Sequence, residues 1–306
     1  MSKILVTGGA GFIGSTLVDK LIEEGNELVV IDNLVSGKKE YLNPLAKFYN
    51  LDICSSEVAV VFSQEKFDFV YHLAAQIDVR KSVSDPIYDN KINVLGGINI
   101  LENCRANNVS KIIFASTGGA IYGEAEEIPT TEYAQTYPLS PYGIHKLTLE
   151  KYLNYYYQVY GLNYTVLRFA NVYGPRQFKG GEAGVIAIFV ENAVRGKESV
   201  LYGDGLQTRD FVYVDDVVNA LSLARGIDYR GEINISLSKE INLLDLIKSI
   251  ELAIEAPVKV KKEAGKDGEQ RRSCLSHTRA KEVLNWEPKT ELEEGILKTI
   301  NWAKSL

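Results

Sequence analysis

The sequence is poor in the residues that build metal centres and disulfide frameworks. Its 306 residues include three cysteines and three histidines. Cys54, Cys104 and Cys274 are odd in number and far apart, so neither a disulfide scaffold nor a ligand set is expected. His72, His145 and His277 are equally scattered. Reduced thiols of this kind fit a cytoplasmic protein. No apolar run approaches the ~18 residues of a membrane span. The opening "MSKILVTGG" runs directly into a strand-like segment with no apolar signal region, so neither membrane insertion nor a signal peptide is expected. Positive charge is in deficit: 34 Lys+Arg against 40 Asp+Glu leave a formal net charge of −6. With no basic cluster, nucleic acid and polybasic membrane surfaces are poor partners. Repeats and flexible linkers are also missing. What remains is an ordinary globular composition, 45% apolar and 24% charged, in a chain long enough for two lobes.

Short apolar runs recur along the first half. "KILVT" (3–7), "ELVVID" (27–32), "KFYNLD" (47–52), "DFVYHLAA" (68–75), "KIIFAST" (111–117) and "YTVLRFAN" (164–171) read as strands. They are continuous rather than alternating, the pattern of a sheet covered on both faces. Helices are expected between them over 12–24, 56–63, 88–107 and 142–160. Ser140 can cap the last of these, Pro141 suits its first position and Gly161 ends it. This alternation implies an α/β fold with a doubly wound parallel sheet. After about residue 171 the rhythm changes. A loop over 172–184, a helix over 185–195, a short strand at 200–203, a helix from about 214, a strand at 232–236 and two closing helices are expected. The main domain then spans 1–171, with the chain returning to it at about 209–237. Residues 172–208 and 238–306 form a smaller lobe.

Two motifs carry chemistry. "TGGAGFIG" follows the first strand and opens the first helix. Gly8, Gly11 and Gly14 let the backbone turn tightly there, and with Phe12 and Ile13 they bring N–H groups against a pyrophosphate at a helix N-terminus. The second strand ends in Asp32, followed by Asn33. A carboxylate at that place accepts both ribose hydroxyls of an adenosine and repels a 2′-phosphate, which favours NAD over NADP. Asp52 and Ile53 are placed beside the adenine. Leu73, Ala74 and Ala75 offer small groups where a backbone must lie close to the dinucleotide, although tight core packing explains the alanines equally well. Asn93 completes the expected cofactor set. The second motif is "SPYGIHK", which sets Lys146 four residues after Tyr142, on the same helical face. A free phenol ionises near pH ~10 and is a poor base at neutrality. A neighbouring ammonium and a positive nicotinamide stabilise the phenolate, so that Tyr142 can take a proton from a substrate alcohol. A hydroxyl at the end of an earlier strand relays that proton. Ser116 and Thr117 both offer one.

"TGGAGFIG", "DNL" (32–34), "STGGAIYG" (116–123), "SPYGIHK", "RFANVYGPRQ" (168–177) and "TRDFVYVDDV" (208–217) together resemble the extended short-chain dehydrogenases/reductases, and within them the nucleotide-sugar 4-epimerases. The resemblance covers nearly the whole chain. It implies a Rossmann-type NAD-binding domain, a nucleotide-sugar-binding lobe and a homodimer formed through helices 88–107 and 142–160, with Leu95, Ile98, Leu147 and Tyr155 at the interface. It also implies substrate contacts at Asn171 and Arg209 for the diphosphate, Val185 and Ile186 along the sugar nucleotide, Tyr202 against the uracil and Glu269 at the uridine ribose. Lys266 falls where the family usually places an arginine on the diphosphate. The turn "STGGAIYG" is one residue longer than the family pattern; counting from Tyr122-Gly123 lands on a glycine and counting from the strand side on Thr117, which is chosen because the chemistry needs a hydroxyl, with Ser116 in reserve. His145 is read as non-catalytic. The family's dehydratases and decarboxylases carry carboxylates beside the catalytic hydroxyl, where this chain has Gly118-Gly119-Ala120. The simplest cycle remains: a UDP-hexose 4-epimerase acting between UDP-glucose and UDP-galactose. The other readings are an epimerase of another nucleotide sugar, decided by the pocket at Gln76 and residues 185–189, and a non-catalytic NAD-binding regulator.

Overall fold

The computed structural model describes residues 1–177, 184–265 and 270–306. Its centre is a seven-stranded parallel sheet of β1 (Lys3–Thr7), β2 (Glu27–Asp32), β3 (Lys47–Asn50), β4 (Phe69–His72), β5 (Lys111–Thr117), β6 (Asn163–Phe169) and β7 (Glu232–Ile235). The strand order is β7-β6-β5-β4-β1-β2-β3. Successive crossovers run one way from β1 to β3 and the other way from β4 to β7. β1 pairs with both β2 and β4, and the crevice for a ligand opens where the direction reverses. The continuous apolar runs have a direct explanation. Along β1, Ile4 and Val6 face a core shared with the helices Phe12–Glu23 and Val214–Arg225. Leu5 faces the opposite core, built with Val58–Glu65, Gly97–Ala106 and Pro141–Tyr160. From Ile4 to Thr7 every position of this strand is therefore buried on one side or the other.

Three differences from the sequence reading matter for the site. A short helix, Val79–Ser84, precedes the helix expected over 88–107, which is itself segmented into Pro86–Asn90, a π-helical stretch Lys91–Gly96 and Gly97–Ala106. Asp78 and Asp85 cap Val79–Ser84 and Pro86–Asn90 by accepting from the N–H groups of Lys81 and Tyr88. The widened turn re-aims Asn93, a common use of π geometry near functional sites. Second, Val172 and Tyr173, expected in a loop, continue from Asn171 as a strand, Asn171–Tyr173, parallel to Phe211–Tyr213. Thr208–Arg209 pairs antiparallel with Ile241–Asn242, and Ser199–Tyr202 pairs parallel with Val260–Glu263. Strands of two to four residues show no readable alternation, so only tertiary contacts define them. Third, a helix at Leu243–Ile254, outside the expected elements, is capped by Asn242.

Asp210 ties these pieces together. It is fully buried and accepts from the N–H groups of Leu237 (2.9 Å), Ser238 (3.2 Å) and Leu275 (3.1 Å). Burial pushes its pKa up to about 6 against those bonds. The carbonyl of the same residue accepts both the backbone N–H and the side-chain amide of Asn171, at 2.9 and 3.2 Å. Asp210 thus sets where Asn171 and Arg209 can point.

Candidate active site

The glycine-rich turn lies between the ends of β1 and β4. A Cβ at Gly8 (φ +74°) would fall 2.7 Å from the backbone nitrogen of Ala74, and one at Gly14 would collide with the Gly8 carbonyl oxygen. Only hydrogen fits at these two positions, and the first turn of the helix Phe12–Glu23 lies directly above. Phe12 and Ile13 pack half-buried against the core behind it, as does Leu73. Asp32 closes β2, buried, and accepts from the N–H groups of Ala10 (3.0 Å) and Leu34 (2.8 Å). Burial raises its pKa, and the two N–H groups oppose the shift. The side-chain amide of Asn33 donates to Asp52 across 2.9 Å, joining the ends of β2 and β3. Burial pushes the Asp52 carboxyl up, but the Cys54 N–H and the Asn33 amide outweigh it and hold its pKa low. Ile53 is buried in the core rather than open to the crevice. Ala74 and Ala75 are half-buried after β4. These features fit NAD: a backbone cradle with no room for side chains, and a carboxylate at the end of β2 where a ribose is recognised. Asp32→Asn keeps the shape and removes the charge. The preference for NAD over NADP should fall at least about tenfold, mainly through tighter NADP binding, as titration of the two cofactors would read.

The helix Pro141–Tyr160 carries the second group. Ser140 caps it, its hydroxyl accepting from the N–H of Gly143 (3.2 Å), and Pro141 occupies the first turn. Tyr142 is half-buried, and its backbone N–H donates to the Ser82 hydroxyl (3.2 Å). The Lys146 ammonium sits 6.0 Å from the centre of the Tyr142 ring and 4.7 Å from that of Phe114. It donates to the carbonyl of Ala115 on β5 (2.9 Å). Lys146 is only 4% exposed, and burial pushes its pKa down to about 8 against the pull of Asp89 and Glu150. A lysine carried into the interior at this energetic cost, next to a tyrosine and at the crevice of a doubly wound sheet, marks a reactive site.

The two hydroxyls at the end of β5 have different environments. Ser116 is buried, and its hydroxyl donates to Glu150 (2.6 Å). Glu150 also takes the Arg168 guanidinium through Nε (3.0 Å) and Nη2 (2.5 Å), and Arg168 donates through Nη1 to the Tyr122 hydroxyl (2.9 Å). Ser116 therefore belongs to an interior network, which works against its reserve assignment as the relay. Thr117 is half-buried at the strand end. Gln76 differs from expectation in a similar way. Its side-chain amide donates to the carbonyl of Asp78 (2.8 Å) and to Asp89 (2.6 Å) and accepts from the N–H of Asp78 (2.7 Å). Its backbone N–H and carbonyl are clasped by Asn93 at 2.9 and 2.8 Å. Asn93 and Gln76 thus shape the loop after β4 from within. Thr7 and His72 lie beneath the cradle, 2.8 Å apart, and burial pushes the His72 pKa down to about 3, with the Lys146 charge contributing.

On the substrate side, Asn171 and Arg209 stand on the short strands described above, and the Arg209 guanidinium donates to the Thr208 carbonyl (2.8 Å). Val185 opens the helix Val185–Val194 half-buried, while Ile186 is 1% exposed, so only its backbone can face a ligand. Tyr202 ends the strand Ser199–Tyr202, half-buried. Lys266 and Glu269 lie outside the described residues. Among the described residues, no group of three metal-binding side chains is gathered, and no helix is long and apolar enough to cross a membrane. Asp89 and Glu150, whose charges act on the lysine, and Arg168, which grips Glu150, have no role in the sequence reading. Single charged residues inside helices and strands look like solvated positions until the fold buries them.

A doubly wound sheet with a glycine cradle, an acidic β2 end and a Tyr-x-x-x-Lys helix defines a dinucleotide-dependent enzyme of the short-chain dehydrogenase type. The model of the NAD dependent epimerase/dehydratase family matches residues 4–235, and the chain belongs to that family. A UDP-glucose 4-epimerase of Mycolicibacterium smegmatis is 41% identical over 309 residues, covering 99% of both chains. Among solved structures, a Thermotoga maritima UDP-glucose 4-epimerase with UDP-glucose is 47% identical with a TM-score of 0.97, covering 99% of both chains. A Thermus thermophilus UDP-glucose 4-epimerase complexed with NAD is 40% identical with a TM-score of 0.94, covering 98% of both chains.

Proposed function

We propose that the chain is an NAD-dependent UDP-hexose 4-epimerase, an isomerase interconverting UDP-glucose and UDP-galactose. The observation that carries this reading is the buried Lys146 beside Tyr142 at the cofactor crevice, with no carboxylate at residues 118–120 to drive an elimination or a decarboxylation. The likeness to epimerases solved with UDP-glucose and with NAD supports it. When bound, NAD supplies the acceptor for the hydrogen on sugar C4 and its electron pair, and later returns both. Tyr142 takes the proton of the 4′-hydroxyl, with Lys146 stabilising the phenolate and Thr117 holding the same oxygen. Thr117 is preferred to Ser116 because the Ser116 hydroxyl already donates its hydrogen bond to Glu150. After the 4-keto sugar turns about its diphosphate link, Tyr142 returns the proton and completes the alcohol of opposite configuration. The cycle is redox-neutral.

Turning requires a firm hold on the nucleotide and a light one on the sugar. We assign the hold to Asn171, Arg209, Lys266 and Glu269, to the backbone at Val185 and Ile186, and to the Tyr202 ring, all in the lobe formed by 172–208 and 238–306 apart from Asn171 and Arg209 at its border. A guanidinium fork suits phosphate oxygens and an aromatic face suits a planar base. The decisive experiment is incubation of the purified protein with UDP-galactose and no added reductant. UDP-glucose should form. Conversion of only N-acetylated or uronic substrates would move the assignment to another nucleotide-sugar epimerase, and no conversion of any sugar would sink the reading.

A cytoplasmic homodimer is part of the same proposal. Its free cysteines fit a reducing compartment. The outer faces of Pro86–Asn90, the π stretch and Pro141–Tyr160 leave Ile87 81%, Leu95 57% and Tyr155 46% exposed, a two-helix apolar surface suited to a two-fold partner. In sedimentation, Leu95→Glu should shift a dimer toward monomer; a wild-type chain that sediments as a monomer would remove this part.

A further inference from the structure

A buried ammonium needs a counter-charge, and the surroundings of Lys146 single one out. Two carboxylates act on it, Glu150 one turn further along its own helix and Asp89 from the neighbouring helix Pro86–Asn90. Glu150 is already matched: Arg168 grips it through two nitrogens and Ser116 donates to it. Asp89 is also fully buried, and its partners are a neutral amide and an imidazole, with no guanidinium on it. Its Oδ1 accepts from the Gln76 amide (2.6 Å), and its Oδ2 meets Nδ1 of His145 (2.5 Å). The other groups around the ammonium are the Phe114 ring, the Ala115 carbonyl, the Tyr142 ring and His72, which burial keeps neutral. His145 lies directly before Lys146 in the chain, and Gln76 is itself anchored by Asn93, so both ends of Asp89 are fixed by rigid elements. We propose that Asp89 is a positioning residue of this site: carried on the helix packed against Pro141–Tyr160 and clamped by Gln76 and His145, it supplies negative charge that keeps Lys146 an ammonium. The inference rests on reading Tyr142 and Lys146 as the acid–base pair, and it gives His145 a purpose: holding the counter-charge rather than touching substrate.

The test reads Lys146 itself. In NAD-loaded protein labelled with [13Cε]lysine, the Lys146 signal is identified by its loss in Lys146→Met and titrated by NMR. Asp89→Asn should lower the titration midpoint by about one pH unit, an approximately tenfold change in proton affinity. The alkaline limb of kcat for UDP-galactose should move down by the same amount, with KM nearly constant. His145→Ala should produce a smaller shift in the same direction, and His145→Asn, which retains a donor near the Nδ1 position, should restore the wild-type midpoint. If Asp89 merely supports the fold, Asp89→Asn will lower Tm and leave the midpoint in place, and that result overturns the proposal. Should Asp89→Asn fail to fold, the two His145 variants decide in the same way: equal midpoints for alanine and asparagine overturn it. The midpoint needs no turnover. A moved midpoint without UDP-galactose conversion would count against the epimerase reading alone, and conversion with an unmoved midpoint against this inference alone.

Discussion

Tyr142→Phe should abolish most turnover, lowering kcat by about 10²- to 10⁴-fold, the range a single positioned acid–base group contributes. The expectation is specific because the substitution removes so little else. The ring remains against Lys146, 6.0 Å from its nitrogen. The residue is held in place by its backbone N–H on Ser82 and by the Ser140 cap two residues earlier, neither of which involves the phenol. Binding of NAD and of UDP-galactose should therefore change by only a few-fold, and the loss should fall on kcat. Rates of interconversion and cofactor titration on the same preparation separate the two effects. Residual activity within about tenfold of wild type would show that another group removes the proton and would overturn the mechanism.

Lys146→Met should separate activity from stability. Turnover should fall at least about 10²-fold, because the phenolate loses its neighbouring charge. The folded protein should nevertheless be no less stable, and in cofactor-free samples its Tm should equal or exceed that of the wild type. The sign follows from linkage. Folding depresses the Lys146 pKa from 10.5 to about 8, with burial the dominant cause. A depressed pKa means that the folded state favours the neutral amine. The favourable contribution is complete above 10.5 and is lost as the pH falls through about 8, so near neutrality the buried ammonium costs on the order of 3 kcal/mol. Methionine keeps the stem and removes that cost, at the expense of the bond to Ala115, worth about 1 kcal/mol. A variant that melts clearly below the wild type would show that the lysine holds the fold together rather than straining it, and that its burial is not a functional device.

The site was legible to different depths in different places. Gly8, Gly14 and Asp32 can be read directly, because a cofactor cradle requires hydrogen rather than Cβ at fixed offsets and a carboxylate at a strand end. The Tyr142/Lys146 spacing is equally local, set by a single helix with its own cap. Ser116 and Thr117 show where local reading stops: two adjacent hydroxyls are equivalent in the sequence, and only the position of Glu150 draws one into the interior. Gln76 is the same kind of case, since a polar residue beside a pocket looks available until Asp89 and Asp78 are seen to use its amide. The short strands at Asn171–Tyr173 and Thr208–Arg209 lie below the length at which alternation can be detected, although they position the residues assigned to the diphosphate.

By itself, the order of residues determined the doubly wound parallel architecture, the dinucleotide cradle and the Tyr–Lys helix, because each depends on periodicity or spacing within one element or two consecutive ones. Tertiary structure alone decided which charges face Lys146. Asp89 and Glu150 act on one ammonium from different helices, and Arg168, on a third element, cancels one of them. Electrostatic energy in a low-dielectric interior depends on through-space distance and burial, and neither quantity is written in the spacing of residues along a chain.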